Sequence, residues 1–333
     1  MTIYDIAKIA GVSGSTVSRV LNGKPGVNSE TRQKILKLLE QYHFEPNASA
    51  QGLVSQSSKI IGIMMSDIRT VHHSESAYYV EQALQKEGYA CLIVNCGFTD
   101  QSREECLRVL ASRRAEAVVL IGSTFQSDNT RQAIQKYLKN LPVILENGII
   151  NLPNVYSVVA DEEHGVAESL QFLFQKGRTH PCYFNINRTP SNLLKIKGFT
   201  HAWKEHLPNQ EPFIINMEHR ADEDEWQTSY RATKALFTEH PEIDSIIYST
   251  DLLANAGVRA LQDLGIKVPE QVAVIGIDNS IYATLCSPQL TVLNNKMPEL
   301  SMMCAQLLLQ ILDGKSITKR IMIPSEIIER EST

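Results

Sequence analysis

Between Gly14 and Asn22 the side chains of Ser15, Thr16, Ser18, Arg19 and Asn22 can all hydrogen-bond, while Val17, Val20 and Leu21 recur at helical spacing. Such a helix can press its polar face into the major groove of DNA. Small residues permit close approach there, and an arginine reaches guanine O6 and N7 together. The same face also suits a solvated helix of a helical hairpin, and the stretch alone does not separate the two. A second set, Asp67, Asn95, Ser123, Glu146, Asn147, Asn187, Asp251 and Asp278, ends or follows short apolar runs. If those runs are parallel strands, the set gathers at their carboxyl ends, where open α/β sheets bind ligands. Asp, Asn and Ser are equally the favoured helix N-caps, so both roles stand. Enzyme chemistry lacks its usual marks: there is no G-x-S-x-G elbow, no G-x-x-x-x-G-K-[ST] loop, no G-x-G-x-x-G after a strand and no H-E-x-x-H. The six cysteines at 91, 96, 106, 182, 286 and 304 form no C-x-x-C unit, which favours buried free thiols and no metal site.

The elements that must position these groups fall into two patterns. Thr2, with Asp5 three residues on, approximates a capping box for a short helix stopped by Gly11. Ser13 is a second N-cap candidate for the helix ending near Asn22-Gly23, and the two make a helix-turn-helix. A third helix is expected from Glu30 to Tyr42, capped by Ser29, with Ile35, Leu38, Leu39 and Tyr42 supplying core. From Ile60 onward strand and helix signals alternate, as a parallel α/β architecture requires. Strands are expected at 60–65, 90–96, 117–122, 142–146, 156–160, 182–186, 213–217, 245–249 and 272–277. Helices fill the gaps, for example 78–87, 103–113, 166–175 and 252–264.

At 333 residues, 43% hydrophobic and 21% charged, the chain reads as a globular protein of two or three folding units. Its longest apolar runs, such as Ile60–Met65 and Ala117–Ile121, are strand-sized, and the start lacks the unbroken apolar stretch of a signal peptide. A cytoplasmic protein with no membrane partner is therefore expected. Residues 1–59 carry seven bases against four acids, a net +3, which leaves −8 on the rest. A small basic module on a large acidic body suggests that the N-terminus is what meets a polyanion.

The run from Thr2 to Gly23, with Val27 to Arg32 and Phe44 to Leu53 after it, resembles the headpiece and hinge of the LacI/GalR repressor family. The body resembles that family's sensor, itself related to periplasmic sugar-binding proteins, at Gly62-Ile63 with Asp67, Glu75, Gly88-Tyr89, Leu141-Pro142-Val143, Asp161 with Gly165, Gly198-Phe199, Asp251, Val268-Pro269, Ile275 to Asn279 and Leu290-Thr291. The resemblance implies an α/β chain with an N-terminal all-α helix-turn-helix headpiece and a periplasmic-binding-protein-like bilobal sensor with two parallel sheets. It divides the chain into a headpiece (1–46), a hinge helix and linker (47–58) and a sensing core (59–333). Within the core, strand exchange would place 59–160 and 291–320 in the first lobe, and 161–290 and 321–333 in the second.

The function so implied is a homodimeric repressor that binds double-stranded operator DNA under control of a small-molecule effector, without a cofactor. Some relatives also use a protein corepressor. Gly14, Ser15, Thr16 and Arg19 fall at base-reading positions, Asn22 and Asn47 join the DNA-contacting set, and Leu53 falls where a hinge leucine wedges into the minor groove and kinks the duplex. Gly14 offers no side chain for readout, and Gln51 stands where the family usually has arginine. Ligand positions carry over to His72, His73, Glu146, Ser191, Lys195 and Asp251. Three departures mark the chain: His72-His73 replace an aromatic pair, Lys195 replaces an arginine and loses its bidentate fork, and Lys296 stands near the place of a usual proline. Two carboxylates, an ammonium and two imidazoles suit a hydroxyl-rich ligand. A sugar or sugar derivative comes first, a nucleoside or purine second, and a phosphorylated sugar third. An enzyme and a bilobal solute-binding receptor are the other classes; the absent motifs weigh against the first, and the headpiece and missing export signal against the second.

Overall fold

The computed structural model describes residues 1–21, 23–44, 57–218, 220 and 222–333. The chain forms two units, Met1–Lys59 and Ile60–Thr333. Asn22, Asn47, Gln51, Leu53 and most of the expected hinge lie outside the described residues.

Among the described residues the N-terminal unit has three helices, α1 (Ile3–Ala10), α2 (Gly14–Leu21) and α3 (Ser29–Gln41). Thr2 and Asp5 form a reciprocal capping box, and Gly11 closes α1 at φ 73°, a left-handed conformation that glycine adopts without strain. Ser13 caps α2, its hydroxyl accepting from the Thr16 amide at 3.3 Å. The cap of α3 is Asn28 rather than Ser29. The Asn28 amide oxygen accepts from the Thr31 N–H at 2.7 Å, and Ser29 is already helical. Tyr42 is exposed beyond the helix end, so the contribution of α3 to the core is Ile35 and Leu39, with Leu38 half-buried. These meet Ile6, Ala7 and Ala10 from α1 and Val17 and Val20 from α2.

The second unit holds two six-stranded sheets. The first is ordered β2 (Ala90–Asn95), β1 (Ile60–Met65), β3 (Ala117–Ile121), β4 (Val143–Glu146), β5 (Val155–Ala160) and β11 (Arg320–Ile323), and its pairs are all parallel. The second is ordered β7 (Ile214–Asn216), β6 (Pro181–Asn185), β8 (Ser245–Tyr248), β9 (Ala273–Ile277), β10 (Thr291–Asn294) and β12 (Glu326–Ile328). Its pairs are parallel except at the edge, where β12 runs antiparallel to β10. Strands such as Ala117–Ile121 and Ala273–Ile277 are buried along their whole length, because helices cover both sheet faces.

On the first sheet, α4 (Val71–Lys86) and α12 (Met297–Leu312) cover one face, while α5 (Asp100–Ser112) and α6 (Asp128–Tyr137) cover the other. On the second, α7 (Glu162–Gln175) and α8 (Pro190–His206) lie opposite α9 (Glu225–Glu239) and α10 (Asp251–Asp263); a short α11 (Ile281–Leu285) follows β9. Helix α4 begins at Val71, seven residues before the expected start, so His72 and His73 form its first turn. The α7–α8 contact is close enough that a Cβ at Gly198 would sit 2.0 Å from the Glu163 carbonyl oxygen. Only glycine fits, and Lys195, one turn earlier, is thereby set beside Glu162.

The lobes exchange chain three times, with boundaries different from those expected. Thr291–Asn294 belongs to the second sheet, since Val292 and Leu293 bury into its two cores, and the crossing to the first lobe follows Asn294. Strand β11 stays with the first sheet through Ile323, where it pairs Ala160, and the last crossing follows it. Among the described residues no helix is long and apolar enough to cross a membrane.

The small N-terminal core leaves little margin. Ile35 is fully buried, and Ile35→Ala should cost about 2–5 kcal/mol through lost burial and an unfilled cavity. A unit of this size has little more stability than that to lose. The variant is expected to lose the helical circular-dichroism signal of α1 to α3 while calorimetry of the full chain shows the main transition of residues 60–333 in place.

Candidate functional site

Helix α2 presents Ser15 and Arg19 to solvent, with Thr16 and Ser18 half-covered, while Val17 and Val20 face the core. The Ser13 hydroxyl shares hydrogen bonds with those of Ser15 at 2.8 Å and Thr16 at 2.9 Å, so three hydroxyls cluster at the start of α2. Gly14 has a packing reason independent of readout. A Cβ there would come within 3.2 Å of the Tyr4 ring, which lies over the start of α2.

In the second unit, strand order reverses between β1 and β3 in one sheet and between β6 and β8 in the other. These are the switch points beside which such sheets bind ligands. A cleft of about 440 Å³ opens there, lined from the first lobe by Asp67, Arg69, Thr70, Val71, His72, Glu75 and Met297, and from the second by segments 224–226 and 250–252 with Asp278, Ser280 and Tyr282.

Two of the six expected ligand residues line it. His72 stands on the first turn of α4, and Asp251 opens α10. Asp251 is 1% exposed; one carboxylate oxygen accepts from the Ser280 N–H at 2.6 Å and the Ser280 hydroxyl at 2.9 Å, while Oδ1 has no hydrogen-bond partner among the described residues. Burial pushes this carboxyl well above the usual range and the charge of Asp278 adds to the shift, against the Ser280 hydrogen bonds. A Cβ on Gly276 would come 2.3 Å from Oδ1, so the Ile-Gly-Ile sequence of β9 is what admits the carboxylate.

The other four lie behind the cleft wall. His73 points away, its Nδ1 2.9 Å from the Asp67 carbonyl oxygen and its Nε2 against Gly122; burial, with the charge of His72, pushes its pKa down to about 4. The two histidines therefore do not form a paired platform. Glu146 is fully buried beneath His72, whose Nε2 is 3.9 Å from Oε1, and it accepts a hydrogen bond from the Ser301 hydroxyl at 3.1 Å. Burial raises its pKa. Lys195 is buried, its ammonium 3.4 Å from Glu162 and donating to the Ser249 carbonyl at 3.1 Å. Burial alone would lower the Lys195 pKa, but the charges of Glu162 and Asp278 outweigh it and hold the group above its usual value. Ser191 donates from its hydroxyl to Glu162 at 2.7 Å and from its amide to Ser123 Oγ at 3.2 Å, a hydrogen bond from the second lobe to the first. The sequence placed these residues near the crevice but could not show that Glu162, a residue with no motif of its own, binds two of them.

Sequence reasoning also missed Trp226 and Arg69. The Trp226 ring stacks on Tyr230 at 5.5 Å and 11°, with its N–H donated to Asn255 at 3.0 Å, which fixes an indole at the cleft wall. The available signal was the capping pair Asp224 and Gln227 opening α9. Arg69 forks onto Asp67 with bonds of 2.7 to 3.2 Å and holds the Asp67 pKa down to about 2.

Lys195→Ala distinguishes a buried structural pair from a ligand contact. It leaves Glu162 buried without its cation, and the expected loss is about 3–5 kcal/mol of folding stability. Denaturant titration is the measurement. Unchanged stability would mean that the ion pair contributes nothing to the fold.

Residues 2–47 match the family described as bacterial regulatory proteins, lacI family, and residues 170–333 match the periplasmic binding protein-like domain. An HTH-type transcriptional regulator of Lachnoclostridium phytofermentans is 31% identical over 336 residues, covering 100% of this chain and 99% of that protein. Catabolite control protein A of Priestia megaterium is 29% identical over 339 residues, with 100% and 99% covered. In fold, the lac repressor dimer bound to operator and the anti-inducer ONPF superposes with a TM-score of 0.89 at 20% identity, covering 100% of this chain and 98% of that one. With a helix-turn-helix unit, an interlobe cleft and full-length relatives that are transcriptional regulators, the chain belongs to the lacI family of bacterial regulatory proteins: it is a DNA-binding transcriptional repressor with a ligand-binding core, and not an enzyme.

Proposed function

We propose that the cleft takes a small hydroxyl-rich molecule, a sugar or sugar derivative, and that its occupancy controls operator affinity. The observation that carries this reading is the lining. Carboxylates from both lobes, which accept from hydroxyls, stand around one fixed aromatic wall at Trp226. A nucleoside or purine is the second reading, because an indole also stacks a base. The carboxylates weigh against a phosphorylated sugar, whose charge they would repel. A ligand that touches His72 or Glu75 in one lobe and Asp251 in the other favours one lobe arrangement, and that differential affinity is the source of the switch. A protein corepressor is not part of this reading.

On the DNA side, the protein acts in the cytoplasm as a homodimer on a near-palindromic site, since one eight-residue recognition helix covers too few base pairs for a unique address. Ser15, Thr16 and Arg19 read bases. Asn22, Asn47 and the Leu53 wedge complete the proposed contact set.

Two experiments test these roles. Arg19→Ala should weaken operator binding by about 1–3 kcal/mol and relax preference at one base pair per half-site. Fluorescence anisotropy on operator and random duplexes decides it, because equal losses on both would mark Arg19 as a phosphate contact only. For the switch, a thermal-shift screen of sugars and nucleosides identifies stabilising compounds, and each hit is titrated against repressor bound to operator. Asp251→Asn is expected to lose the response in operator binding, whatever its direction, while still binding the operator. A full response in the variant would remove this cleft as the switch.

A further inference from the structure

Helix α3 carries two cations that reach the turns on either side of α2. The Lys34 ammonium donates to the carbonyl of Ala10, 24 residues earlier in the sequence, at 3.0 Å. The Arg32 guanidinium donates to the Lys24 carbonyl at 2.7 Å, in the loop that follows α2. Ala10 ends α1, and the last four carbonyls of a helix have no intrahelical donor, so Lys34 supplies a partner that the backbone there lacks. Lys24 is itself tied to α2. Its N–H donates to the Arg19 carbonyl at 2.9 Å and the Gly23 N–H donates to the Val20 carbonyl at 3.2 Å, the paired hydrogen bonds of a Schellman ending. The Arg19 guanidinium also lies beside Gly26 of this loop, with Nη1 4.0 Å from where a Cβ would stand. Arg19 therefore leans on a loop that Arg32 holds.

We infer that Arg32 and Lys34 are positioning residues for the recognition helix: they hold α2 at both ends so that Arg19 meets its base pair, and they are not phosphate contacts. The inference rests on the base-reading role of Arg19 proposed above and adds what sets its aim. Residues 1–59 carry seven bases, and a count of charge would assign all of them to the DNA backbone. Two of them are instead directed at carbonyls of their own chain. Hydrogen bonds from charged donors are stronger than neutral ones, which suits them to fixing short turns. The two roles differ in what they do to binding. A phosphate contact raises affinity for any duplex, whereas a group that fixes a base-reading side chain raises affinity for the operator alone.

Arg32→Met and Lys34→Met keep the stem and the helix propensity and remove the donor. The full-length variants are measured by fluorescence anisotropy, over a series of salt concentrations, on a duplex selected by the wild-type protein from a randomised pool and on a random duplex. The expected result is a fall of about three- to tenfold in the ratio of selected to random affinity, with relaxed preference at the base pair that Arg19→Ala relaxes and unchanged binding of the random duplex. In the Arg19→Ala background neither substitution should lower the ratio further. Equal losses on both duplexes, with a salt slope shallower by about one, identify a phosphate contact and overturn the assignment of that residue. A ratio that falls as far without Arg19 as with it overturns the positioning role in favour of a general contribution to the fold, and so does loss of binding to every duplex. If Arg19→Ala alone weakens both duplexes equally, the base-reading role falls and the positioning falls with it. A selective Arg19→Ala loss beside an unchanged ratio in Arg32→Met and Lys34→Met removes the positioning only.

Discussion

Three passages of chain join the two lobes, and the hydrogen bonds among them fix where the cleft residues stand. The first passage is Asp161, after β5; the second is Asn295 and Lys296, after β10; the third is the turn at Ser325, after β11. The Ser325 hydroxyl donates to Asn295 Oδ1 at 2.8 Å, the Asn295 amide donates to Asp278 at 3.1 Å, and the Asp161 amide donates to the Ile323 carbonyl at 3.0 Å. Asn295 is 1% exposed, so its hydrogen bonds form away from competing water. Gly165 lets α7 close on this junction, since a Cβ there would meet Leu293 at 2.8 Å and Ser325 at 3.0 Å. Asp278 thus belongs to the junction and to the cleft at once, and a change in how the lobes meet is felt directly at the site.

Charge is handled differently on the two sides of the cleft wall. Behind it, Glu162 gathers Lys195 and Ser191, while Ser191 reaches Ser123 of the other lobe. Removing either partner would leave the other buried and uncompensated, which makes the cluster a structural fixture. In front of it, carboxylates face a water-accessible cavity, with Asp67 held in a fork by Arg69 and Glu75 half-buried on α4. The Lys195 ammonium turns inward onto Glu162 and the Ser249 carbonyl.

The N-terminal unit solves a different problem with few residues. Among the described residues its core is seven buried side chains, and its helix ends are settled locally by the Thr2–Asp5 capping box, Gly11 and Asn28. Caps matter more here than in the large unit, because short helices leave a high proportion of their backbone groups without intrahelical partners. That economy leaves the outer face of α2 free for Ser15 and Arg19.

The sequence by itself determined the three-helix headpiece, the alternation of strand and helix, the family, and the polar residues at strand ends. All of these depend on local periodicity, capping residues or contiguous motifs. It did not reveal β11 and β12, strands of four and three residues, because whether so short an edge segment is a strand depends on its partner rather than on its own pattern. Nor did it show α4 starting at Val71, where a polar His-His-Ser-Glu-Ser run hides the helical period. Only the tertiary structure decided that Lys195 and Ser191 turn to Glu162 while Asp251, Glu75 and Trp226 face the cavity. Which way a polar side chain points is set by neighbours far away in the chain, such as Gly276 making room for Asp251 and Gly198 drawing α8 onto α7, and sequence spacing carries no record of those contacts.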